Sequence, residues 1–162
     1  MRLRPAQAAD LPALLEIYND AVVHTTASWD LVPWTPMEHA EWYATKAEHR
    51  HPIIVAEEGG EILGYAAYGP FRAKAGYAAT MEHSVYVRPS SRGLGIGRTL
   101  LVAIIEAARA NGVHALIGGL SADNDISMAL HRSLGFVEVG RLPEVGRKFD
   151  RWLDLVLLQV IL

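Results

Sequence analysis

Apolar side chains recur along the chain with two different periods. Leu11, Leu14, Leu15, Tyr18, Ala21 and Val22 follow helical spacing, with Asp10 in front as an N-cap and Pro12 in the first turn. Thr35-Pro36-Met37-Glu38 has the capping-box pattern and opens a second helix that runs to about Arg50. The period then changes to two. Ile53 to Glu58 and Glu61 to Tyr68 flank Gly59-Gly60, a hairpin loop whose glycines accept positive φ. Thr80 to Val87 reads as another strand, after a loop from Gly69 to Gly76. A helix from Ile96 to Asn111 is closed by Gly112, and a short one from Asp125 to Leu134 by Gly135. Ala115 to Leu120, Phe136 to Arg141 and Trp152 to Ile161 are the remaining strands. With a first strand at the N-terminus, the order is strand, two helices, three strands, helix, strand, helix, two strands. That order predicts one mixed α/β (α+β) domain over residues 1–162, largely antiparallel, with a parallel crossover around the third helix.

Composition narrows the functional classes. Apolar residues make up 51% and charged residues 20%, with a formal net charge of −3. No basic run suggests a nucleic-acid partner. Without cysteine there is no disulfide, thiolate zinc site or Cys nucleophile. Met1 to Pro5 has no apolar leader and no apolar run is long enough to span a bilayer, so a cytoplasmic protein with no membrane partner is expected. His49 and His51 lack the partners of a metal motif, and no metal is expected.

The densest chemical signal is Arg92-Gly93-Leu94-Gly95-Ile96-Gly97, between a strand and a helix. Glycines at alternate positions let the backbone bring its N–H groups to a ligand, and the helix N-terminus adds donors and partial positive charge. This arrangement suits phosphate. No G-x-x-x-x-G-K-[ST] run exists, and a G-x-G-x-x-G fingerprint fails because Arg98 stands at its sixth position. Taken alone, the glycines fit a plain strand–helix turn equally well.

The wider context resembles a known family. Arg92-x-x-Gly95-x-Gly97 matches the Q/R-x-x-G-x-G/A motif of the GNAT superfamily of N-acetyltransferases. Glu82-His83-Ser84-Val85-Tyr86-Val87 before the loop resembles the branch of phosphinothricin and methionine sulfoximine/methionine sulfone acetyltransferases. So does Asn124-x-x-Ser127-x-x-x-His131-x-x-x-Gly135-Phe136 after it. The segments Ile17 to Val22 and Phe149-x-Arg151-Trp152-Leu153-Asp154 are similar to the sulfoximine/sulfone enzymes. The resemblance implies acetyl-CoA as co-substrate, its pyrophosphate wrapped by the backbone of Arg92 to Gly97. It implies that Val85, Tyr86 and Val87 face the pantetheine arm where the fourth and fifth strands splay, and that Asn124 contacts that arm. It also implies a homodimer.

Acetylating an amine needs a proton acceptor, because most primary amines are protonated at neutral pH. Glu82 shares a strand face with Ser84 and Tyr86, opposite Met81, His83, Val85 and Val87. By itself it could be a solvated surface carboxylate; the resemblance matches it to the family's catalytic glutamate. Asn124, Ser127 and His131 fall on one helix face, and histidine at 131 matches the phosphinothricin branch, where many other relatives carry a tyrosine acid. The resemblance places acceptor contacts at Phe71, Arg72 and Ala73 and at Met81, Glu82 and His83, with Arg72 suited to a carboxylate by its fork. Thr25, Thr26 and Trp29 are further candidates for the pocket wall. The expected activity is acetyl transfer to the α-amine of a small amino acid. A peptide or protein N-terminus is the alternative acceptor, and a CoA-binding sensor without turnover the alternative of another class.

Overall fold

A computed structural model describes residues Met1–Leu162. Strand β1 (Arg2–Pro5) leads into α1 (Leu11–His24), and α2 (Pro36–Glu48) follows an irregular loop. The hairpin β2 (Ile53–Glu58) and β3 (Glu61–Pro70) precedes β4 (Thr80–Val87). Helix α3 (Ile96–Ala110), β5 (Ala115–Ser121), α4 (Asp125–Ser133), β6 (Val137–Lys148) and β7 (Arg151–Ile161) complete the chain. One seven-stranded sheet has the order β1-β2-β3-β4-β5-β7-β6. Only β4 and β5, joined through α3, are parallel; the other neighbours are antiparallel. This is the α/β architecture the pattern predicts.

Local chemistry explains most element ends. The Thr35 hydroxyl accepts from the Glu38 N–H at 3.3 Å, and the Thr35 N–H donates to the Glu38 carboxylate at 2.7 Å. Gly59 and Gly60 both have positive φ, as a primed hairpin turn requires. Two expectations need correction. Asp10 does not cap α1; its carboxylate accepts from the Arg4 guanidinium at 2.7 and 2.8 Å and from the Gln7 N–H at 2.7 Å. Strand β6 runs to Lys148 instead of ending near Arg141, and turns into β7 through Phe149-Asp150, both with positive φ. Its register slips between Glu138 and Gly140 and again between Leu142 and Gly146. Bulges of this kind let a strand continue through Pro143-Glu144, which reads as a loop in sequence.

Both faces of the sheet are covered. Ile96, Leu100, Leu101, Ile104 and Ala108 of α3 pack with Met128 of α4 on Leu116, Val156 and Leu158. Leu14 and Ile17 of α1 pack on Val55, Tyr65 and Ala67, with Trp42 and Tyr43 of α2 against them. Val55 and Ala56 are adjacent in β2 yet belong to opposite clusters, as strand alternation dictates.

The sheet has one opening. The β4–β5 pairing consists of Thr80↔Ala115, Met81↔Leu116 and Glu82↔Ile117. Beyond it β4 continues to Val87 beside β3, while β5 continues to Ser121 beside β7. The two strands diverge, which leaves the backbone of His83 to Val87 without a strand neighbour on that side.

Candidate active site

The loop after β4 enters this opening. Gly93 and Gly95 have φ of +80° and +79°, conformations that side-chain-bearing residues rarely adopt. Their N–H groups and that of Leu94 have no backbone acceptor, and the first turn of α3 adds the free donors of Ile96, Gly97 and Arg98. The Arg92 side chain braces the loop: Nε donates to the Val87 carbonyl at 3.2 Å and Nη2 to Asp20 at 3.2 Å. Gly97 needs no special φ, and a Cβ there would meet Leu130 and Val87 at an ordinary 3.7 Å. Leu94 points outward and is 72% exposed, whereas Ile96 belongs to the core.

A groove of about 800 Å³ runs from this loop along Val85, Tyr86 and Val87 to Asn124 and His131. A second cavity, about 460 Å³, lies on the far side of the opening, walled by Ser28, Trp29, Lys46, Gly69, Glu82 and Leu155 among others. The two meet at Thr26, Ala27, Val85, Tyr86, Asn124, Ser127 and His131, which line both.

Asn124 serves α4 first: its Oδ1 accepts from the Ser127 N–H at 3.1 Å, as an N-cap does. Its Nδ2 is left as a donor toward the junction. His131 Nδ1 lies 2.7 Å from the Ser127 carbonyl. A carbonyl only accepts, so Nδ1 carries the proton and Nε2 presents a lone pair. That Nε2 is buried without a protein partner. Burial lowers the His131 pKa, with the Ser127 bond opposing, so the ring is neutral at pH 7. Glu82 keeps an accessible face on the cavity. Desolvation by the surrounding walls raises its pKa, and the charge of Arg72 pulls it back.

Glu82 and His131 are carried on opposite sides of the sheet. Tyr86, of the same parity as Glu82, packs with α1 and α2, while His131 comes from α4 on the other side. The opening between β4 and β5 brings both to one place. Two glycines of β5 make room for them. A Cβ on Gly118 would lie 3.1 Å from His83 Nε2 and 3.3 Å from His131, and one on Gly119 would lie 2.9 Å from Glu82 Oε1.

The other expected residues divide. The His83 ring is buried at the end of the cavity, stacked on His131 at 5.1 Å and edge-on to Phe136 at 5.4 Å. Burial pushes its pKa down to about 3. Met81 packs into the α3 core and is not among the residues walling the cavity. Phe71, Arg72 and Ala73 are not among the residues walling the cavity. The Arg72 guanidinium lies over the Phe71 ring at 4.9 Å, although its charge reaches Glu82. Thr26 and Trp29 do line the cavity, and Thr25 the groove.

Several participants escaped the sequence reading. Adjacent glycines inside a strand pattern signal close approach, so Gly118 and Gly119 were legible in principle. Lys46 and Lys148 gave no such signal. Lys148 is buried and donates to the Ser28 carbonyl at 2.5 Å, pinning the α1–α2 loop over the cavity. Gly146 leaves space for Trp29, whose ring would clash with a Cβ there.

Comparison with known proteins agrees with this geometry. Residues 12–136 match the family model described as Acetyltransferase (GNAT) family. An L-methionine sulfoximine/L-methionine sulfone acetyltransferase of Pseudomonas aeruginosa is 48% identical over 98% of this chain and 92% of its own. A crystal structure of a ribosomal-protein-alanine N-acetyltransferase from Brucella melitensis superposes with a TM-score of 0.98 at 50% identity, covering both chains completely. A phosphinothricin acetyltransferase from Sinorhizobium meliloti, solved in complex with acetyl-CoA, gives 0.97 at 36% identity over 99% of this chain and 88% of that one. By sequence match as by its loop, opening and strand order, the chain belongs to the GNAT family of acetyltransferases.

Proposed function

We propose that this acetyltransferase moves the acetyl group of acetyl-CoA directly onto the α-amine of a small amino acid, with methionine sulfone, methionine sulfoximine and phosphinothricin as the acceptor class. The observation that carries the reading is the junction at Val85, Asn124 and His131, where a phosphate-suited groove meets a separate cavity. In this reading the N–H groups of Gly93 to Gly97 hold the pyrophosphate. Val85, Tyr86 and Val87 offer backbone groups to the pantetheine arm, and Asn124 Nδ2 a further donor. A two-substrate site of this shape supplies rate through proximity, with no covalent enzyme intermediate.

Glu82, raised by burial, accepts a proton from the incoming ammonium directly or through water and releases it to solvent. The neutral amine attacks the thioester carbonyl. His131 Nε2, a lone pair at rest, accepts the second amine proton and passes it to the departing thiolate. A C–N bond forms as the C–S bond breaks, leaving the amide and the free thiol. Arg72, whose charge reaches Glu82, orients the acceptor carboxylate in this reading. We assign these roles to one domain spanning residues 1–162.

A protein N-terminal alanine is the second reading, favoured by the name of the Brucella relative. Both acceptors present an α-amine; only the free amino acid presents a carboxylate on the same carbon, where a peptide has an amide. Turnover of acetyl-CoA with an amino-acid panel and an alanine-ended peptide separates them. Transfer to the sulfone, sulfoximine or phosphinothricin supports the first reading. A protein that binds acetyl-CoA yet acetylates no panel member removes it. No helix is long and apolar enough to cross a membrane. A cytoplasmic setting belongs to the same proposal, since a chain without cysteine needs no oxidising compartment. So does a homodimer, supported by exposed Val137, Val139, Val145, Phe149 and Trp152 along β6–β7 and testable by sedimentation.

A further inference from the structure

Lys46 comes from the last turn of α2, yet it lines the acceptor cavity. Its route depends on the sheet edge. Strand β3 outruns β2, whose last pair is Ile53↔Ala67, so Tyr68, Gly69 and Pro70 have no β2 neighbour. The Lys46 ammonium covers this edge and donates to the Tyr68 carbonyl at 2.7 Å. It lies directly over Gly69: a Cβ there would clash with Nζ. Gly69 pairs with Glu82 across the β3–β4 ladder, so both positions share one face. Directly opposed Cβ positions lie about 5 Å apart, which puts the ammonium near the level of the proposed base.

An ammonium has three donors, and the protein uses one. No carboxylate forms an ion pair with Lys46, Glu82 included, while Trp42 offers its ring at 5.8 Å. Burial without an anionic partner lowers its pKa to about 8. A half-buried cation, with spare donors on a cavity and a glycine reserved beneath it, is suited to an anion brought from outside.

We infer that Lys46 is a specificity-determining residue that donates to an oxygen of the acceptor, either the anionic α-carboxylate or the oxygens of the side-chain head, anionic in a phosphinate and neutral but polar in a sulfone. The inference rests on the amino-acid reading above. It assigns to Lys46 a contact distinct from those of Arg72, Glu82 and His83. It also gives the enzyme a reason to prefer free amino acids over peptides if the carboxylate is the group held, because a peptide has an amide there.

The test uses Lys46→Met, which keeps much of the side chain's length without its charge, and Gly69→Ala, whose Cβ displaces the ammonium. Initial rates are measured with methionine sulfone, phosphinothricin, their carboxamides and methionine, and calorimetry gives Kd for methionine sulfone independently of turnover. Both variants should raise KM and Kd for the parent acceptors by about 10- to 100-fold, as loss of a charge-assisted bond does. kcat and the KM for acetyl-CoA should stay within a few-fold. If carboxamides escape the effect, Lys46 holds the carboxylate; if methionine escapes it, Lys46 holds the head. Unchanged acceptor KM and Kd, or an equal rise for every substrate including acetyl-CoA, would overturn the assignment. If the wild type acetylates the panel but the variants match it, this inference fails alone. If the wild type neither binds nor acetylates any amino acid, the acceptor reading falls and takes this inference with it.

Discussion

Gly119→Ala offers a stringent test of the proposed base, because it moves Glu82 without removing it. The new Cβ would stand 2.9 Å from Glu82 Oε1 and 3.5 Å from Leu155 Cδ1. The second contact is ordinary; the first forces the carboxylate aside by about half an ångström or more. A carboxylate end can yield at a cost of roughly 0.5–1.5 kcal/mol for an off-rotamer torsion. Replacing a glycine outside the positive-φ region returns about 0.4–1 kcal/mol by restricting the unfolded chain. These nearly cancel, so Tm should change by only a few degrees. Catalysis should respond more strongly. Loss of a positioned base costs about 10²–10⁴ in rate, and misplacement by 1 Å can cost about 10². A shift of half that size should lower kcat by roughly tenfold. Release of CoA thiol measures the rate, and thermal unfolding measures the fold. The reasoning also requires non-additivity: Glu82→Ala should be slow already, and adding Gly119→Ala should change little. Full activity in Gly119→Ala with a dead Glu82→Ala would refute the dependence on carboxylate position. Full activity in Glu82→Ala would refute the base itself.

The phosphate loop and the buried histidine give two more tests. Gly95→Ala should weaken acetyl-CoA binding at least tenfold, because alanine resists a φ of +79°, whereas Gly97→Ala, with ordinary 3.7 Å contacts, should bind within a few-fold of wild type; equal loss in both would contradict the backbone account. His83, held neutral by burial with a pKa near 3, binds fewer protons folded than unfolded between about pH 3 and 6.5, so its contribution is intact above pH 6.5 and is lost as pH falls, with a slope of up to about 1.4 kcal/mol per pH unit. Denaturant unfolding of His83→Phe should show a shallower acid slope, and an unchanged slope would transfer the effect to another group.

Much of the fold was legible because local signals agreed with one another. The Thr35–Glu38 box, the Gly59-Gly60 turn and the closing Gly112 and Gly135 fall where the chain turns. Asp10 misled because a carboxylate before a helix looks the same whether it caps the helix or meets Arg4 from β1. The second half of β6 misled because Pro143-Glu144 suggests a loop, while the pairing partner that sustains a bulged strand comes later in the chain. At the site, the loop and the segments holding Glu82, Asn124 and His131 are contiguous, so a family resemblance could carry them. Lys46 is one basic residue among several on a polar helix, and its meaning appears only when β3 outruns β2 beneath it.

The sequence by itself determined the order of elements and the phosphate-suited turn, through periodicity and φ preference, and its contiguous segments carried the resemblance that marks Glu82 and His131 as acid–base candidates. Strand alternation, read alone, sends Glu82 to the opposite face from His83 and says nothing of where α4 packs. Only the tertiary structure decided that Glu82 and His131 could serve one reaction. It did so by ending the β4–β5 pairing at Glu82↔Ile117 and placing Gly118 and Gly119 beside the opening. Such a gap is a relation between strands separated by a whole crossover helix, and no local spacing encodes it.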